Sequence, residues 1–331
     1  MTKRLRIGIA ILIIIAAGAY WRLHSRSRAL AEAFSGDRRV ILWSGTAEVR
    51  KPISTLGYGE RVEILAHAAD NVQVRTAQGL VGWVDMRQLL DASLWRRAEQ
   101  LSAQAKQMPV QARGHTKVVS NLRIEPGRET QRILQLGRGV PVELLARQAM
   151  DAPASAGVGE QPGEGDRPKR EDWLLVRAET QDVGRLSGWV LGRFIEMDLP
   201  APLPDYATSA GMHVVGWFVL NQVADKDGSL KPQYLVIGTR AGEGQACDFT
   251  LMRVYTWSQT RRRYETAYVE SKTCGKLPVR VTPPAQPGGD AAFRFTAIGD
   301  KGSEEAGYQM HQTIVRRMRD GGIAADKRHR R

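Results

Sequence analysis

The sequence predicts a mainly β chain: two copies of a small β unit, then a C-terminal β domain, after one apolar N-terminal helix. Three observations carry this reading. Four short alternating blocks recur in the same order ahead of residue 200. Further short β-like runs separated by turn signals follow it. A basic head and an uncharged apolar run open the chain. The 331 residues are enough for about two domains. At 42% apolar and 25% charged they can build packed cores, which excludes a disordered chain and a polytopic membrane protein. Collagen, coiled coil and disulfide-dense miniprotein are excluded as well. Two cysteines cannot build a zinc site of three or four thiolates.

Lys3, Arg4 and Arg6 precede the run from Ile7 to Trp21, which carries no charge. A basic head before an apolar run is an export pattern. Residues 1–21 are therefore expected to be an uncleaved signal anchor or transmembrane helix, with Tyr20 and Trp21 at the interface. The competing reading is cleavage after Ala17-Gly18-Ala19. Residues 22–39 read as a basic linker.

The first copy, 40–91, reads Ala47-Glu48-Val49-Arg50, then Gly59-Glu60-Arg61-Val62, then Val72-Gln73-Val74-Arg75, then Gly82-Trp83-Val84. The second copy, 116–199, reads Asn121-Leu122-Arg123, then Gly139-Val140-Pro141-Val142, then Trp173-Leu174-Leu175-Val176-Arg177, then Gly188-Trp189-Val190. Each block alternates like a strand bounded by turns. Between the copies, 92–115 places Leu94, Trp95, Ala98, Leu101 and Ala105 at helical spacing, an amphipathic linker helix. The second copy carries an insert at 150–171, poor in large apolar residues and expected to be a disordered loop.

These blocks resemble bacterial SH3 domains of the exported type, small five-stranded barrels. The second copy keeps Asn121-Leu122-Arg123, Pro126-Gly127, Trp173 and Gly188-Trp189-Val190. The first departs, with Glu48 at the asparagine position and Val72 at the third-strand tryptophan. The glycine of Gly-Trp-Val is expected to allow a tight turn, and the indole to cap the barrel. The resemblance implies recognition of peptidoglycan or a wall peptide. Trp173 and Trp189 are the candidate platform, with Trp83 as the weaker counterpart in the first copy. Arg177 completes the candidate ligand set, although, with Arg50, Arg75 and Arg123, it also reads as a solvated strand residue. The alternative for the tryptophans is that they only plug a core. With the apolar run, the resemblance implies a single-pass protein of a bacterial inner membrane with its domains outside the cytoplasm.

Pro200 to Pro204 read as a linker into a C-terminal β domain, 200–318, ahead of a basic disordered tail, 319–331. The runs around Trp217, Leu235, Val254, Tyr264, Val279, Phe293 and Met310 suggest a β-sandwich, or a partial propeller of aromatic hairpins. Asp225-Lys226-Asp227-Gly228 lacks the further oxygen ligands of a calcium loop and reads as a polar hairpin turn. Cys247 and Cys274 are a candidate disulfide, with two unpaired thiols as the alternative.

No catalytic residue is expected. An NlpC-type cysteine peptidase would need Ser-Gly after Cys247 and Val-Gly after His311, and neither is present. The six histidines are scattered singly, against metal binding, and no cofactor motif appears. A net charge of +13 favours acidic partners, but no helix carries a basic stripe with aromatics, against nucleic acid. The expected function is non-catalytic binding in the cell envelope. The alternative is a membrane-tethered scaffold that holds a partner protein through its C-terminal domain. A cell-wall cysteine peptidase comes third.

Overall fold

The computed structural model describes residues 29–153, 170–286, 289–300, 302–319 and 322–323. The fold is mainly β, with three antiparallel sheets and, among the described residues, two α-helices. The chain divides into two compact units, Met1–Trp95 and Arg96–Arg331.

The first unit holds β1 (Ala31–Ser35), β2 (Arg39–Trp43), β3 (Pro52–Gly57), β4 (Arg61–Ala68), β5 (Asn71–Thr76), β6 (Val81–Asp85) and β7 (Leu89–Asp91). They form one sheet in the order β3-β2-β6-β5-β4-β1-β7. Strand alternation sends Val40, Leu42, Val72, Val74 and Val84 to one buried cluster. Phe34 stacks on Trp95 at 4.7 Å. The Trp95 ring also crosses Gly59, whose φ is +77° and where a Cβ would lie 2.7 Å from the indole. Only glycine meets both demands.

Helix α1 (Ala92–Lys106) is capped by Asp91, whose Oδ1 accepts from the Ser93 and Leu94 amides at 2.8 and 2.9 Å. The boundary between the two units falls within it.

The second unit begins its sheet with β8 (Ala112–Thr116), β9 (Ser120–Arg123), β10 (Arg132–Leu136), β11 (Pro141–Asp151), β12 (Arg170–Thr180), β13 (Gly184–Leu191) and β14 (Ile195–Met197). Their order, β10-β9-β13-β12-β11-β8-β14, repeats that of the first sheet strand for strand. After a short helix, α2 (Leu203–Ser209), come β15 (His213–Ala224), β16 (Leu230–Thr239), β17 (Phe249–Ser258), β18 (Arg263–Thr282), β19 (Ala291–Gly299), β20 (Gly302–His311), β21 (Ile314–Arg319) and β22 (Gly322–Ile323). They make one eight-stranded meander in chain order.

One face of the meander gathers Leu235, Phe249, Val254, Phe293, Phe295 and Tyr308 into a buried core. The other face packs Tyr234, Tyr255 and Tyr264 with Leu203 and Ala207 of α2. Gln111 joins the second and third sheets: its Nε2 donates to the Val279 carbonyl and its Oε1 accepts from the Val279 amide at 2.7 Å. Arg147 adds a buried ion pair to Asp248 at 3.0 Å. Next to Asp248, Cys247 and Cys274 form a disulfide, with Cα atoms 5.0 Å apart.

Several expectations need correction. The C-terminal strands belong to one sheet, in which every strand pairs with its sequence neighbour, and not to two separate sheets or separate blades. None of the three sheets closes on itself among the described residues. Strand β1 lies within the stretch read as basic linker, and β8 begins within the stretch read as helical linker. Met150, Asp151, Arg170 and Glu171, read as loop, pair across β11 and β12. Residues 154–169 of that insert lie outside the described residues, as do 320–321 and 324–331 of the stretch read as a disordered tail, while Arg319 and Gly322–Ile323 of that stretch pair as strands. The inner-membrane localisation is also corrected: among the described residues no helix is long and apolar enough to cross a membrane. The run at 1–21, on which that expectation rested, lies outside the described residues.

Candidate functional site

The two repeats can be aligned by pairing rather than by sequence blocks. Gly82 and Gly188 fix the frame. A Cβ on Gly82 would lie 2.6 Å from Leu42 Cγ and 2.7 Å from the Trp43 carbonyl oxygen. A Cβ on Gly188 would lie 2.6 Å from Leu122 Cγ and 2.8 Å from the Arg123 carbonyl oxygen. Neither glycine has a positive φ. The glycine of Gly-Trp-Val therefore serves a close strand crossing in mid-sheet, not the tight turn expected.

This frame moves two alignments. The counterpart of Asn121-Leu122-Arg123 is Ile41-Leu42-Trp43, since Trp43 pairs with Trp83 as Arg123 pairs with Trp189. The block Ala47 to Arg50 lies between β2 and β3, where Val49 is 96% exposed. The counterpart of Trp173 is Asn71, not Val72: Trp173 pairs with Leu191, and Asn71 pairs with Asp85. Val72 matches Leu174, and both are buried on the inner face.

With the frame corrected, each copy shows a concavity at the same place. In the first it has a volume of about 490 Å³ and is lined by Arg39, Ile41, Trp43, Asn71, Asp85 and Gln88, together with Arg50, Asp70 and Arg87. In the second it has about 350 Å³ and is lined by Val119, Asn121, Arg123, Trp173, Leu191 and Phe194, with Arg128 and Gln135. The first six residues of each set occupy equivalent positions.

The linings differ in chemistry. In the first copy the Arg50 guanidinium lies over the Trp43 ring, 4.6 Å from its centroid. Asp85 starts the turn after β6, accepting from the Arg87 amide at 2.9 Å, and pairs with the Arg87 guanidinium at 2.8 Å. The Arg87 hydrogen bond holds the Asp85 carboxyl below its ordinary pKa, and Asp85 raises Arg87 in turn. Among the described residues neither Arg39 nor Arg50 makes an ion pair. In the second copy Arg123 turns its guanidinium onto the Thr130 carbonyl, and burial lowers its pKa. Trp173, Leu191 and Phe194 replace polar groups.

The candidate residues thus fall in different settings. Trp173 is 3% exposed and forms a wall of the second concavity. Trp189 stands on the same face, one pair along, opposite Leu175. There it packs into the cluster of Ala105, Leu145 and Leu175 beneath α1. Arg177 is buried, donates to Glu143 Oε2 and the Ala105 carbonyl at 2.5 Å each, and so holds the end of α1 to the sheet. Its counterpart Arg75 pairs with Glu63 at 3.0 Å. Trp83 is half-buried beside Trp43.

The groups that sequence reasoning missed are Trp43 and Asn71, and Arg50 was placed in the wrong role. A signal for Trp43 existed: Leu42 stands as far before Gly59 as Leu122 does before Gly139. Among the described residues no cluster of His, Cys, Asp and Glu is suited to a metal. Asp225 to Ser229 is a hairpin turn in which Asp227 Oδ1 accepts from the Ser229 amide at 2.9 Å.

No family model matches this chain. No curated protein matches it either. Among solved structures, an NlpC/P60 family protein from Bacillus cereus ATCC 10987 is similar at 15% identity over 58% of this chain, with a TM-score of 0.21. The chain spans 65% of that protein's length. NlpC2 from Trichomonas vaginalis is similar at 9% identity over 88% of this chain and 97% of its own, with a TM-score of 0.17. NlpC1 from the same organism is similar at 9% identity over 85% of this chain and 89% of its own, also at 0.17. TM-scores this low do not indicate a shared overall fold.

Proposed function

We propose that this chain is a non-catalytic binding protein that recognises peptidoglycan or wall peptides through its SH3-like repeats. The observation that carries the reading is the paired concavity. Two sheets with one strand order hold a hollow at equivalent positions, and its lining is aromatic and cationic in the first copy. Such a lining suits stacking on an acyl or sugar surface and charge-assisted bonds to carboxylates. The excess of 48 Lys+Arg over 35 Asp+Glu adds attraction to an anionic polymer, strongest at low salt. Both cysteines of the chain are joined to each other, which leaves no thiol nucleophile and weighs against the cysteine-peptidase alternative.

Sedimentation of the full chain with purified sacculi tests the reading. Saturable co-sedimentation that weakens with salt is the expected result. A chain that stays in the supernatant at low salt overturns it.

A further inference from the structure

We propose that the concavity of the first copy, and not that of the second, is the ligand site, and that it takes a short peptide carrying free carboxylates. This deepens the wall-peptide reading and rests on it. The argument begins with charge. Of the three arginines around the hollow, Arg87 is engaged by Asp85 at 2.8 Å, and Asp70 adds to its charge balance. Arg39 and Arg50 make no ion pair among the described residues. Two unpaired guanidiniums lining a hollow favour an anion, and a guanidinium fork matches a carboxylate.

Shape and polarity narrow the class. Arg50 is held against the Trp43 ring, which fixes the direction of its donors before any ligand arrives. Trp43 and Ile41 offer an apolar floor for a short aliphatic stem. Asn71 and Gln88 put side-chain amides on the same lining, the donor and acceptor pair that a peptide group needs. A sugar alone would leave the two cations unmatched, and a purely apolar ligand would leave the amides unmatched as well.

The second copy is unsuited to the same ligand. Its counterpart of Trp43 is Arg123, spent on a backbone carbonyl, and its counterpart of Asn71 is the buried Trp173. Asp85 and Gln88 are replaced there by Leu191 and Phe194.

The test uses the full chain and isothermal titration with the tetrapeptide L-Ala-γ-D-Glu-L-Lys-D-Ala, beside the same peptide with both carboxylates amidated. The acid form is expected to bind saturably, and the amidated form about tenfold or more weaker. Arg50→Gln and Arg39→Gln should each weaken the acid form by a similar factor. Arg185→Gln, on an exposed arginine of the second sheet paired with Glu179, should change nothing. Both first-copy arginines are peripheral to the core, so unchanged thermal melting is the check on folding. Equal binding of acid and amide, or unchanged binding in both Arg39 and Arg50 variants, overturns the proposal. Sacculus sedimentation of the same variants separates the two claims. Retention on sacculi with no loss in Arg50→Gln removes this site and leaves wall binding standing. Failure of the unaltered chain to sediment removes wall binding, while the acid–amide difference still decides the site.

Discussion

Trp43 and Trp83 stand directly opposite one another on β2 and β6, at the register point where the second copy sets Arg123 against Trp189. One substitution at one position of a shared frame thus separates an aromatic floor from an arginine that caps a turn. The two copies have kept their strand order and changed the surface of the hollow.

The same frame predicts unequal effects at a second equivalent pair. Trp173 is buried in the second copy, while Asn71 is half-exposed in the first. Trp173→Ala should destabilise its unit by about 3–5 kcal/mol, the usual cost of emptying a large buried aromatic site. Asn71→Ala should fall within about 0.5 kcal/mol of the unaltered chain, as surface changes do. Chemical denaturation followed by tryptophan fluorescence measures both.

Gly82 and Gly188 should refuse alanine. Each leaves room only for hydrogen beside a leucine side chain and a backbone carbonyl that cannot yield. Gly82→Ala and Gly188→Ala should each cost about 1–3 kcal/mol through overpacking. A melting temperature unchanged by either would mean that the strands cross less closely than described.

Arg177 ties three things together: its own strand, Glu143 on β11 and the last turn of α1. Arg177→Ala removes the guanidinium from Glu143, which keeps Arg113 at 3.9 Å, and from the Ala105 carbonyl, which keeps the Met108 amide at 3.1 Å. The expected loss is about 1.5–3 kcal/mol, typical of losing hydrogen bonds made to a charged group. Circular dichroism at helical wavelengths should report part of the loss, since the end of α1 is released.

Glu171 gives the chain an acid limb of known sign. Its carboxylate accepts from Arg128 at 2.5 Å and also from Arg193. The Arg128 hydrogen bond is the largest cause that lowers its pKa below the ordinary glutamate value. A depressed pKa in the folded state contributes stability above the unfolded value, about 4.3, and loses it as pH falls further. Unfolding free energy should therefore drop on acidification below about pH 4, and Glu171→Gln should flatten that part of the curve.

Opening the disulfide should be costly as well. Cys247 and Cys274 enclose a 27-residue separation, for which loop-closure entropy gives about 3–4 kcal/mol. Replacing both by serine should lower stability by that order. It should also loosen Arg147, whose guanidinium is held by Asp248 and the Cys247 carbonyl. Hydrogen exchange along β11 is the measurement that sees the second effect.

The strands were legible wherever alternation met a glycine boundary, as at Gly59-Glu60-Arg61-Val62 and Gly82-Trp83-Val84. Which block matched which was less legible. Ala47-Glu48-Val49-Arg50 alternates like a strand, yet it is a connection, because nothing in the fold covers Val49. Matching Trp173 with Val72 followed hydrophobicity and missed by one residue. In a sheet, one residue exchanges the inner face for the outer. The arrangement of the C-terminal strands was not legible at all, because the choice between one meander and two stacked sheets lies in edge pairing far along the chain. The concavity shared the same fate: its lining comes from β2, the start of β5 and the turn after β6, and only the register brings them together.

The most direct measurement of the central claim is a titration of the full chain, labelled on its indole nitrogens, with soluble peptidoglycan fragments, read by heteronuclear NMR. The chain has eight tryptophans, so the indole signals form a short, assignable set. The account predicts that the Trp43 indole shifts saturably while those of Trp173 and Trp217 stay in place. A spectrum in which no indole moves, or in which Trp173 moves and Trp43 does not, would contradict it.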